Sequence, residues 1–386
     1  MDTADIDGIR LWDDRQSICG WYYATLDDNR GVEKVVLTSM TIRIAHLNVA
    51  PGFRGGQRQT ELLIRELSSA DVQQILVARH GGMLAQRVKD VNLEIRTGSG
   101  GPLSVAMATR DVDVVHAHEG RSVYGAFLRS LISQTPYIVT RRVNNPLDNH
   151  WLTHKVYRRA AFVAAIAPQI AGIMSHYDSR IRLQVIHDSS SELPVDGAKS
   201  ALIRKAFPGK LLVGHVAALD NRQKGQEFII HVAMELQESH PDIQFLLVGG
   251  GPDEMMLRKA AEGLKNLVFT GFVDNVNDYL AALDVFILPS NKEGLGSILL
   301  DAMNQQLPII ASGVGGVPDI VRDGKNGILI DPGRPDQLKA AILRLSEAPE
   351  LRRKFGDRGH QLAKNFSANV MCQKYLSLYQ AVVDAT

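Results

Sequence analysis

The segment of sequence that decides the fold reads DVFILPSNKEGLGSILLDAM and spans residues 284–303. The short apolar run DVFILP is typical of a buried parallel strand, and it leads into a loop that carries Glu293. The glycine-containing residues 294–296 are predicted to start a helix, whose free backbone N–H groups suit phosphate or sugar oxygens. Asp301 follows about two turns along this helix. The segment therefore predicts a binding site with two carboxylates, in which Glu293 accepts from sugar hydroxyls and Asp301 reaches vicinal ribose hydroxyls.

Short apolar runs alternate with helical patterns on both sides of this segment. Such alternation predicts an α/β protein with two Rossmann-like, doubly wound parallel-sheet domains that face a cleft. Helices are predicted over 60–67, 122–131, 226–237 and 366–383. The predicted strands form two series, 42–49, 73–78, 113–118, 136–140 and 161–167, then 211–217, 243–249, 266–271, 284–289, 308–312 and 327–330.

The break between the two series falls between Glu192 and Pro208, where proline and serine replace the strand pattern, so we expect a hinge there. The predicted organisation is a first domain over 40–205, a second domain over 206–365 and a final helix over 366–386 that crosses back to the first domain.

Residues 1–39 carry two of the three tryptophans and show no helix or strand periodicity over a useful length. Met40 follows directly and is a plausible true start, in which case residues 1–39 are dispensable. The alternative is an ordered extension that packs its aromatic side chains on the body of the protein.

Charge and cysteine content exclude several classes of protein. The 43 basic and 42 acidic side chains nearly cancel, so bulk charge gives no support for nucleic-acid binding. Cys19 and Cys372 have no metal-ligand spacing and form no disulfide framework. No apolar run approaches roughly 18 residues and the beginning of the chain is acidic, so neither a membrane span nor a secretory signal is predicted. We expect a cytoplasmic protein.

Two further kinds of residue point to an anionic ligand. Glycine-rich turns follow a predicted strand at Gly55 and Gly56 and again at Gly250 and Gly251, where backbone N–H groups can approach a phosphate, although tight turns of purely structural origin look the same. Arg222 and Lys224 come just after the first strand of the second domain, at the carboxyl edge where open α/β sheets bind ligands. They can neutralise a diphosphate, or they can be ordinary solvated charges.

The second domain resembles the donor-binding half of the GT-B glycosyltransferases of family 4. The resemblance covers about residues 210–345 and rests on four motifs together, namely Lys224-Gly225, Gly249-Gly250-Gly251-Pro252, Gly271-Phe272-Val273, and Glu293 with Asp301. It implies a donor site made of Gly55, Gly56, Arg222, Lys224, Gly250, Gly251, Phe272, Val273, Gly294, Leu295, Gly296 and Asp301. The first domain resembles the acceptor half of the same family more loosely.

Two positions depart from the family pattern. Ala218 stands where the family usually has an arginine that contacts the donor diphosphate, so Arg222 or Lys224 must supply the charge. Asp301 replaces the second glutamate, which keeps the carboxylate and shortens its reach by one methylene group.

His116 and His118 alternate on a predicted strand, so both side chains point to the same side of the sheet. The resemblance implies that His118 contacts the donor sugar, whereas His116 has a structural role. Asp111 and Asp113 form an Asp-x-Asp pattern at the start of a buried strand without other carboxylates, and we do not interpret them as a metal site.

The resemblance implies a glycosyltransferase of bacterial surface-polysaccharide or lipopolysaccharide assembly, with His118 and Glu293 as catalytic residues. Its donor is a nucleotide-sugar, with UDP-sugar favoured, and it needs no metal or other cofactor and retains the anomeric configuration. The acceptor is a glycan or a phosphorylated glycolipid. Residues 40–205 carry a net charge of +8, against −3 for 206–386, which favours peripheral association with an anionic membrane. The alternatives are a nucleotide-sugar epimerase of the same fold and a non-catalytic binding protein.

Overall fold

The computed structural model describes residues 41–386 and, before them, only the backbone of four short strands. These strands are β1 (Asp5–Ile6), β2 (Ile9–Arg10), β3 (Tyr23–Asp27) and β4 (Glu33–Leu37). They pair antiparallel as β1 with β2 and β3 with β4. The sequence analysis assigned no strands to this region. Met40 and Cys19 lie outside the described residues.

The first domain is built on a seven-stranded parallel sheet. Its strands are β5 (Ile42–Asn48), β6 (Val72–Arg79), β7 (Glu94–Gly98), β8 (Val114–Ala117), β9 (Tyr137–Arg141), β10 (Phe162–Ala165) and β11 (Leu183–Val185). Their order across the sheet is β11-β10-β9-β8-β5-β6-β7. The two outermost strands, β7 and β11, were not predicted, because both are partly exposed and lack a continuous apolar run. The helices are α1 (Gly55–Leu67), α2 (Met83–Arg87), α3 (Pro102–Ala108), α4 (Val123–Ser133), α5 (Trp151–Arg159) and α6 (Pro168–Tyr177).

The second domain has a six-stranded parallel sheet made of β12 (Leu211–Val216), β13 (Ile243–Val248), β14 (Leu267–Gly271), β15 (Val285–Leu288), β16 (Ile309–Ser312) and β17 (Gly327–Ile330). Their order is β14-β13-β12-β15-β16-β17. All six strands coincide with predicted apolar runs, because a strand covered by helices on both faces is apolar throughout.

Helices cover both faces of this second sheet, and one more helix ends the chain. They are α7 (Gly197–Lys205), α8 (Asn221–Lys224), α9 (Gln226–Leu236), α10 (Glu254–Ala260), α11 (Val276–Ala282), α12 (Ile298–Asn304), α13 (Val317–Ile320), α14 (Pro335–Ser346), α15 (Pro349–Ala363) and α16 (Ala368–Val383).

The strand order reverses once in each sheet, between β5 and β8 in the first and between β12 and β15 in the second. Open parallel sheets bind ligands outside the carboxyl ends of the strands at such a reversal. The prediction of two Rossmann-like, doubly wound domains is therefore confirmed. The fold predicts ligand sites at the carboxyl ends of these four strands.

The final helix α16 packs on the first sheet. Its buried residues Met371, Tyr375 and Tyr379 join the apolar side chains of β5, β8 and α1 in one cluster. Tyr379 also forms a hydrogen bond with His116, so helix α16 contributes to the core of the first domain next to the strand reversal.

Helix α7 corrects the predicted domain boundary. The sequence analysis placed residues up to 205 in the first domain, whereas α7 packs on α11 of the second. The Asp196 N–H donates to Asp278 Oδ1 at 2.7 Å, and Arg204 Nη1 lies 2.6 Å from Asp284 Oδ2. Composition marked the linker, but only packing shows on which side a short amphipathic helix belongs. Among the described residues, none of the helices combines the length and the apolar character that a membrane span requires.

Candidate active site

An ion pair joins two of the four charged residues that the sequence analysis assigned to the second domain's site. Lys224 Nζ lies 2.6 Å from Glu293 Oε1, and Ser290 Oγ donates a hydrogen bond to the same oxygen at 2.7 Å. The side chains of Lys224 and Glu293 are 23% and 8% exposed. A ligand entering from the solvent side can therefore reach the ammonium group, while the carboxylate is held from behind.

Backbone geometry explains why Lys224 meets Glu293. Gly225 ends α8 with a φ of +67°, in the left-handed region that glycine adopts without strain. A Cβ atom at this position would collide with the carbonyl oxygen of Pro289. The loop that follows Pro289 also donates two backbone N–H groups, from Asn291 and Lys292, to the carbonyl oxygen of Gln223. The Lys-Gly pair thus fastens α8 alongside the loop that carries Glu293.

A polar cleft of about 470 Å³ is lined by the residues next to this pair in the sequence, Gln223 and Lys292, and not by Lys224 or Glu293 themselves. Its lining comes from the loops after β12, β13 and β15 of the second domain and from one residue of the first domain, Asn145. Arg222 lines this cleft and its side chain is exposed, and its contact with an anionic ligand stays a prediction. Lys292 Nζ lies 3.4 Å from Asn145 Oδ1 and spans the two domains.

The glycine turn after β13 lies against the loop after β12. Gly249 has a φ of +135°, and a Cβ on Gly249 or Gly251 would collide with the backbone of residues 217–219. These two glycines are therefore required by close backbone approach. Gly250 has no such collision, and Phe272 packs beside it with its ring 80% exposed. Val273 follows and is partly buried. An exposed aromatic ring above a glycine turn is a surface on which a planar ring can stack.

The loop 294–296 is not helical, which corrects the sequence analysis. Helix α12 begins only at Ile298. Gly296 adopts a φ of +78°, which interrupts the helix, and the Leu295 side chain is buried in the core. Gly294 packs against the backbone carbonyl of Arg142 in the first domain, so a side chain at this position would separate the two domains. Only the backbone of these residues is available to a ligand.

Asp301 lies on α12 and its carboxylate is directed at the linker between the domains. Its Oδ1 accepts a hydrogen bond of 2.6 Å from the Ser191 backbone N–H. Burial raises the pKa of this carboxyl group to about 6, although the hydrogen bond from Ser191 lowers it in part. The structure thus gives Asp301 a contact that sequence spacing could not reveal, and its ribose contact stays a prediction.

Three buried histidines lie at the strand reversal of the first domain. His46 of β5 and His116 of β8 are partners in adjacent strands, and His118 follows two residues later on the same side. His46 Nδ1 and His118 Nε2 are 3.0 Å apart and share one proton in a hydrogen bond. His116 bonds to Tyr379 Oη at 2.6 Å and to Thr140 Oγ1 at 2.7 Å. The prediction that His116 and His118 share a side agrees with this arrangement.

Burial is the main reason that these imidazoles stay neutral. It lowers the pKa of His46 to about 4 and lowers the pKa of His116 and of His118 well below the ordinary value. His118 Nδ1 has no hydrogen-bond partner among the described residues. His118 is thus a buried neutral group at the carboxyl end of β8, and its contact with a donor sugar stays a prediction.

The same three histidines are the group in the described part of the chain whose nitrogens are close enough to hold a metal ion. Both nitrogens of His116 are already engaged, so a metal would have to displace Tyr379 or Thr140. Asp111 and Asp113 lie at the amino end of β8, opposite to the cleft, and Asp113 Oδ2 accepts from the Arg43 backbone N–H at 2.7 Å. Their interpretation as the start of a strand agrees with this position.

Gly55 and Gly56 begin α1 at the carboxyl end of β5, on the cleft side of the first domain. No atom would lie within 4 Å of a Cβ on Gly55, and a Cβ on Gly56 would meet only Arg142 Cδ, at 3.6 Å. The space in front of these glycines is open to a ligand.

The arginines that raise the charge of the first domain do not form one solvated patch. Arg158 pairs with Asp178 at 2.6 Å, Arg159 bonds to Ser130, and Arg142 is buried at the cleft. The sequence analysis considered only the net charge of residues 40–205 and assigned no role to Arg142. The signal was present, since Arg142 follows the end of a predicted strand.

Comparisons with known proteins agree with this geometry. Residues 210–348 match the family model described as glycosyl transferases group 1. The chain is 28% identical over 269 residues to alpha-D-kanosaminyltransferase of Streptomyces kanamyceticus, which covers 65% of this chain and 68% of that protein. It is 31% identical over 152 residues to the lipopolysaccharide core biosynthesis glycosyltransferase LpsE of Rhizobium meliloti, covering 38% and 45%. The structure superimposes with a TM-score of 0.76 and 18% identity on Anabaena HepE in complex with UDP and glucose, covering 88% of this chain and all of that one.

Together the two facing sheets and these similarities define the class of protein: the chain is a glycosyltransferase with the GT-B fold. Residues 210–348, which contain Lys224 and Glu293, are the part of the chain that matches the model of the glycosyl transferases group 1.

Proposed function

We propose that this chain transfers a sugar from a UDP-sugar to a glycan or a phosphate-bearing glycolipid, with retention of configuration and without a required metal. The observation that carries the proposal is the Lys224–Glu293 pair at the carboxyl edge of the second sheet, beside a polar cleft that both domains line. The kanosaminyltransferase and LpsE similarities support the reaction class, and the UDP complex of HepE supports the donor class.

In this proposal the Lys224 ammonium turns from Glu293 to the donor diphosphate and stabilises the negative charge that develops as the bond to the sugar breaks. Glu293 is then free to accept a hydrogen bond from a sugar hydroxyl. Ser290 keeps its hydrogen bond to Glu293 Oε1 and so holds the carboxylate in place. Arg222 at the rim adds charge for the phosphates, and the exposed ring of Phe272 beside Gly250 offers a stacking surface for the base.

Retention of configuration is part of the proposal because the resemblance to family 4 implies it, and the contacts of the two carboxylates favour a front-face reaction as its route. Retaining hydrolases place two carboxyl groups about 5 Å apart, one of them as a nucleophile. Glu293 is already bonded to Lys224 and Ser290, and the Asp301 carboxylate is bonded to the linker. A front-face reaction, in which the departing phosphate itself accepts the acceptor's proton, needs no second carboxylate.

The acceptor side of the proposal includes an anionic membrane. Four large apolar side chains are exposed on the neighbouring helices α3 and α4, namely Leu103, Met107, Leu131 and Ile132. Residues 40–205 carry a net charge of +8, and three of their basic residues, Lys199, Arg204 and Lys205, lie on α7, which packs on the second domain. Apolar side chains that insert and basic side chains that contact headgroups together favour peripheral binding, at about 1 kcal/mol for each basic residue near the surface.

The test of the reaction is to incubate the purified chain with single UDP-, GDP- and ADP-sugars, with and without a lipid-linked oligosaccharide extract, and to follow nucleotide release and product mass. We expect UDP release that depends on acceptor, persists in EDTA, and yields a product whose anomeric proton retains the donor's configuration by NMR. An epimerised nucleotide-sugar formed without acceptor would support the epimerase instead. Binding of a nucleotide-sugar without transfer or hydrolysis would support the non-catalytic alternative.

The membrane component is tested separately by co-sedimentation with anionic and neutral vesicles at low and high salt. We expect binding to anionic vesicles that high salt reverses, because electrostatic attraction is screened. A Leu131→Ser/Ile132→Ser variant should bind less, whereas Met255→Ser, another exposed apolar residue but in the second domain, should not change binding. Equal binding to both vesicle types, or to neither, would leave a soluble acceptor as the better interpretation.

A further inference from the structure

Arg142 directly follows β9, and its backbone lies against the second-domain loop that carries Glu293. The side chain is only 12% exposed. Its Nη1 donates to the backbone carbonyl of His118 at 2.8 Å, and its Nε donates to Asp188 Oδ1 at 3.1 Å. Among the described residues, no partner occupies the remaining guanidinium nitrogen, Nη2, and Nη2 is not enclosed. One edge of the guanidinium group is therefore fixed and the other is free.

Three parts of the cleft meet at this residue. Its Cδ lies next to the open space in front of Gly56, at 3.6 Å from where a Cβ would stand. Its backbone carbonyl packs on Gly294, the residue directly after Glu293. Asn144, two residues along, donates to the Glu293 backbone carbonyl at 3.1 Å. The Arg142 backbone thus touches the loop whose glutamate pairs with Lys224.

Resting on the proposed function, we propose that Arg142 binds the donor diphosphate from the first domain and so distinguishes a nucleoside diphosphate from a monophosphate. A guanidinium group held along one edge presents its other N–H donors in a fixed direction, which suits the oxygens of a phosphate. The second domain offers Lys224, which is already paired, and the exposed Arg222, while Ala218 carries no charge. Arg142 supplies a preorganised cation from the opposite side of the cleft.

Asp188 is the positioning residue in this arrangement. Its carboxylate is 8% exposed and is bonded to Arg142 Nε, so it orients the guanidinium without occupying Nη2. Removing Arg142 alone would leave the Asp188 carboxylate buried without its partner, which destabilises proteins independently of any ligand. The decisive variant is therefore the double substitution Arg142→Met/Asp188→Asn, which removes both charges.

The experiment is a calorimetric titration of the full chain with UDP and with UMP. For Arg142→Met/Asp188→Asn we expect UDP affinity to fall roughly ten- to a hundredfold, as for the loss of one hydrogen bond to a charged group. UMP affinity should stay within about twofold, because UMP has no β-phosphate. Arg142→Lys keeps the charge and loses the fork geometry, so it should lose part of the UDP affinity and none of the UMP affinity. Arg110→Ala removes an exposed arginine of the same domain and should change neither.

Two results would overturn the assignment. An unchanged UDP affinity in the folded double variant would show that Arg142 does not contact the diphosphate. An equal loss of UDP and UMP affinity would show a general structural effect. If the wild-type chain bound neither UDP nor the parallel probes GDP and ADP, the proposed donor class itself would fail, and that outcome is recognised before any variant is compared.

Discussion

The two strand reversals of this protein have the same topology, but the polar side chains at the first are neutral and those at the second are charged. In the first domain the ends of β5 and β8 place three neutral imidazoles in a dry network with Thr140 and Tyr379. In the second domain the ends of β12 and β15 are followed by a charged pair, Lys224 and Glu293, which solvent can reach. A common fold therefore delivers polar side chains to equivalent places, while burial decides whether they carry charge.

We call the histidine network at the first reversal (His46, His116 and His118) the rigid half of the site, and the Lys224–Glu293 pair at the second reversal the exchangeable half. Both nitrogens of His116 are engaged inside the core, and moving the imidazole would leave two buried partners unsatisfied. In the Lys224–Glu293 pair the ammonium group keeps 23% of its side chain exposed, so a ligand can approach it from solvent. The first reversal is suited to hold a shape, and the second is suited to exchange partners with a substrate.

The largest expected effect is on the exchangeable half. Lys224→Ala or Glu293→Ala should lower turnover by roughly tenfold to a thousandfold, because each removes a preorganised polar contact in the cleft. Steady-state kinetics with whichever nucleotide-sugar the transfer assay identifies would measure this, with circular dichroism to check folding. Lys259→Ala, an exposed lysine of the same domain, is the matched control. Wild-type turnover in either site variant would disprove the assignment of the pair.

The second prediction concerns how the unfolding free energy depends on pH. The two reversals should contribute differently because they contain different numbers of buried imidazoles. A histidine whose folded-state pKa is lowered stabilises the protein above its unfolded pKa of about 6.5, and this stability is lost as pH falls towards its folded pKa. From pH 7.5 to 5.5 each neutral imidazole should cost about 1.4 kcal/mol of unfolding free energy. Three histidines act at the first reversal, whereas at the second His215 acts alone, its pKa lowered to about 4 by burial.

Urea unfolding at the two pH values measures this loss. In His215→Gln the difference between the two pH values should shrink by about 1.4 kcal/mol, and the larger part, due to the first reversal, should remain. A stability that does not change between pH 7.5 and 5.5 would mean that the imidazoles are solvated.

The third prediction tests the backbone beneath the ion pair. Gly225→Ala should lower the unfolding free energy by about 2–4 kcal/mol. Alanine is strained at the positive φ of this position, and its methyl group also collides with the Pro289 carbonyl oxygen. Gly209→Ala is the matched control, since Gly209 has a φ of +70° and no atom near the added Cβ. It should cost about 1–2 kcal/mol. Denaturant unfolding of both variants measures the difference, and equal losses would contradict the clash with the 289–293 loop.

The fourth prediction tests the rigid half. Tyr379→Phe removes the hydroxyl that bonds to His116 Nδ1 and should cost about 1–3 kcal/mol, because a buried polar atom loses its partner. Gln373→Ala on the exposed face of the same helix should cost less than about 0.5 kcal/mol. Urea denaturation compares the two. If Tyr379→Phe were neutral, the hydrogen bond to His116 would contribute little to stability.

The smallest expected effect concerns Asp301, whose contribution to stability changes with pH in the direction opposite to that of the histidines. Its pKa is raised to about 6, so the folded state holds a proton that the unfolded state releases, and stability from this group increases as pH falls through 6. Asp301→Asn removes that gain. Its unfolding free energy should therefore fall by about 1 kcal/mol more than wild type between pH 7.5 and 5.5. Parallel pH profiles would indicate a solvated carboxylate.

The sequence alone predicted the second sheet and most of the first, together with the position of Lys224 and Glu293 near the carboxyl edge. These features are local: an apolar run of a few residues, a glycine turn and a charged residue directly after a strand are all visible along the chain. The two strands that escaped prediction, β7 and β11, lie at sheet edges, where partial exposure removes the apolar signal.

Only the tertiary structure decided the properties that depend on atoms far apart in the sequence. The neutral state of His118 results from burial by other elements, and Asp301 meets Ser191 across 110 residues. Helix α7 belongs to the second domain because its partner α11 lies there, and Arg142 faces the cleft because β9 ends beside β8. Periodicity reports which face of an element is buried, but it carries no information about which distant groups surround a side chain, and those groups set its charge and its partners.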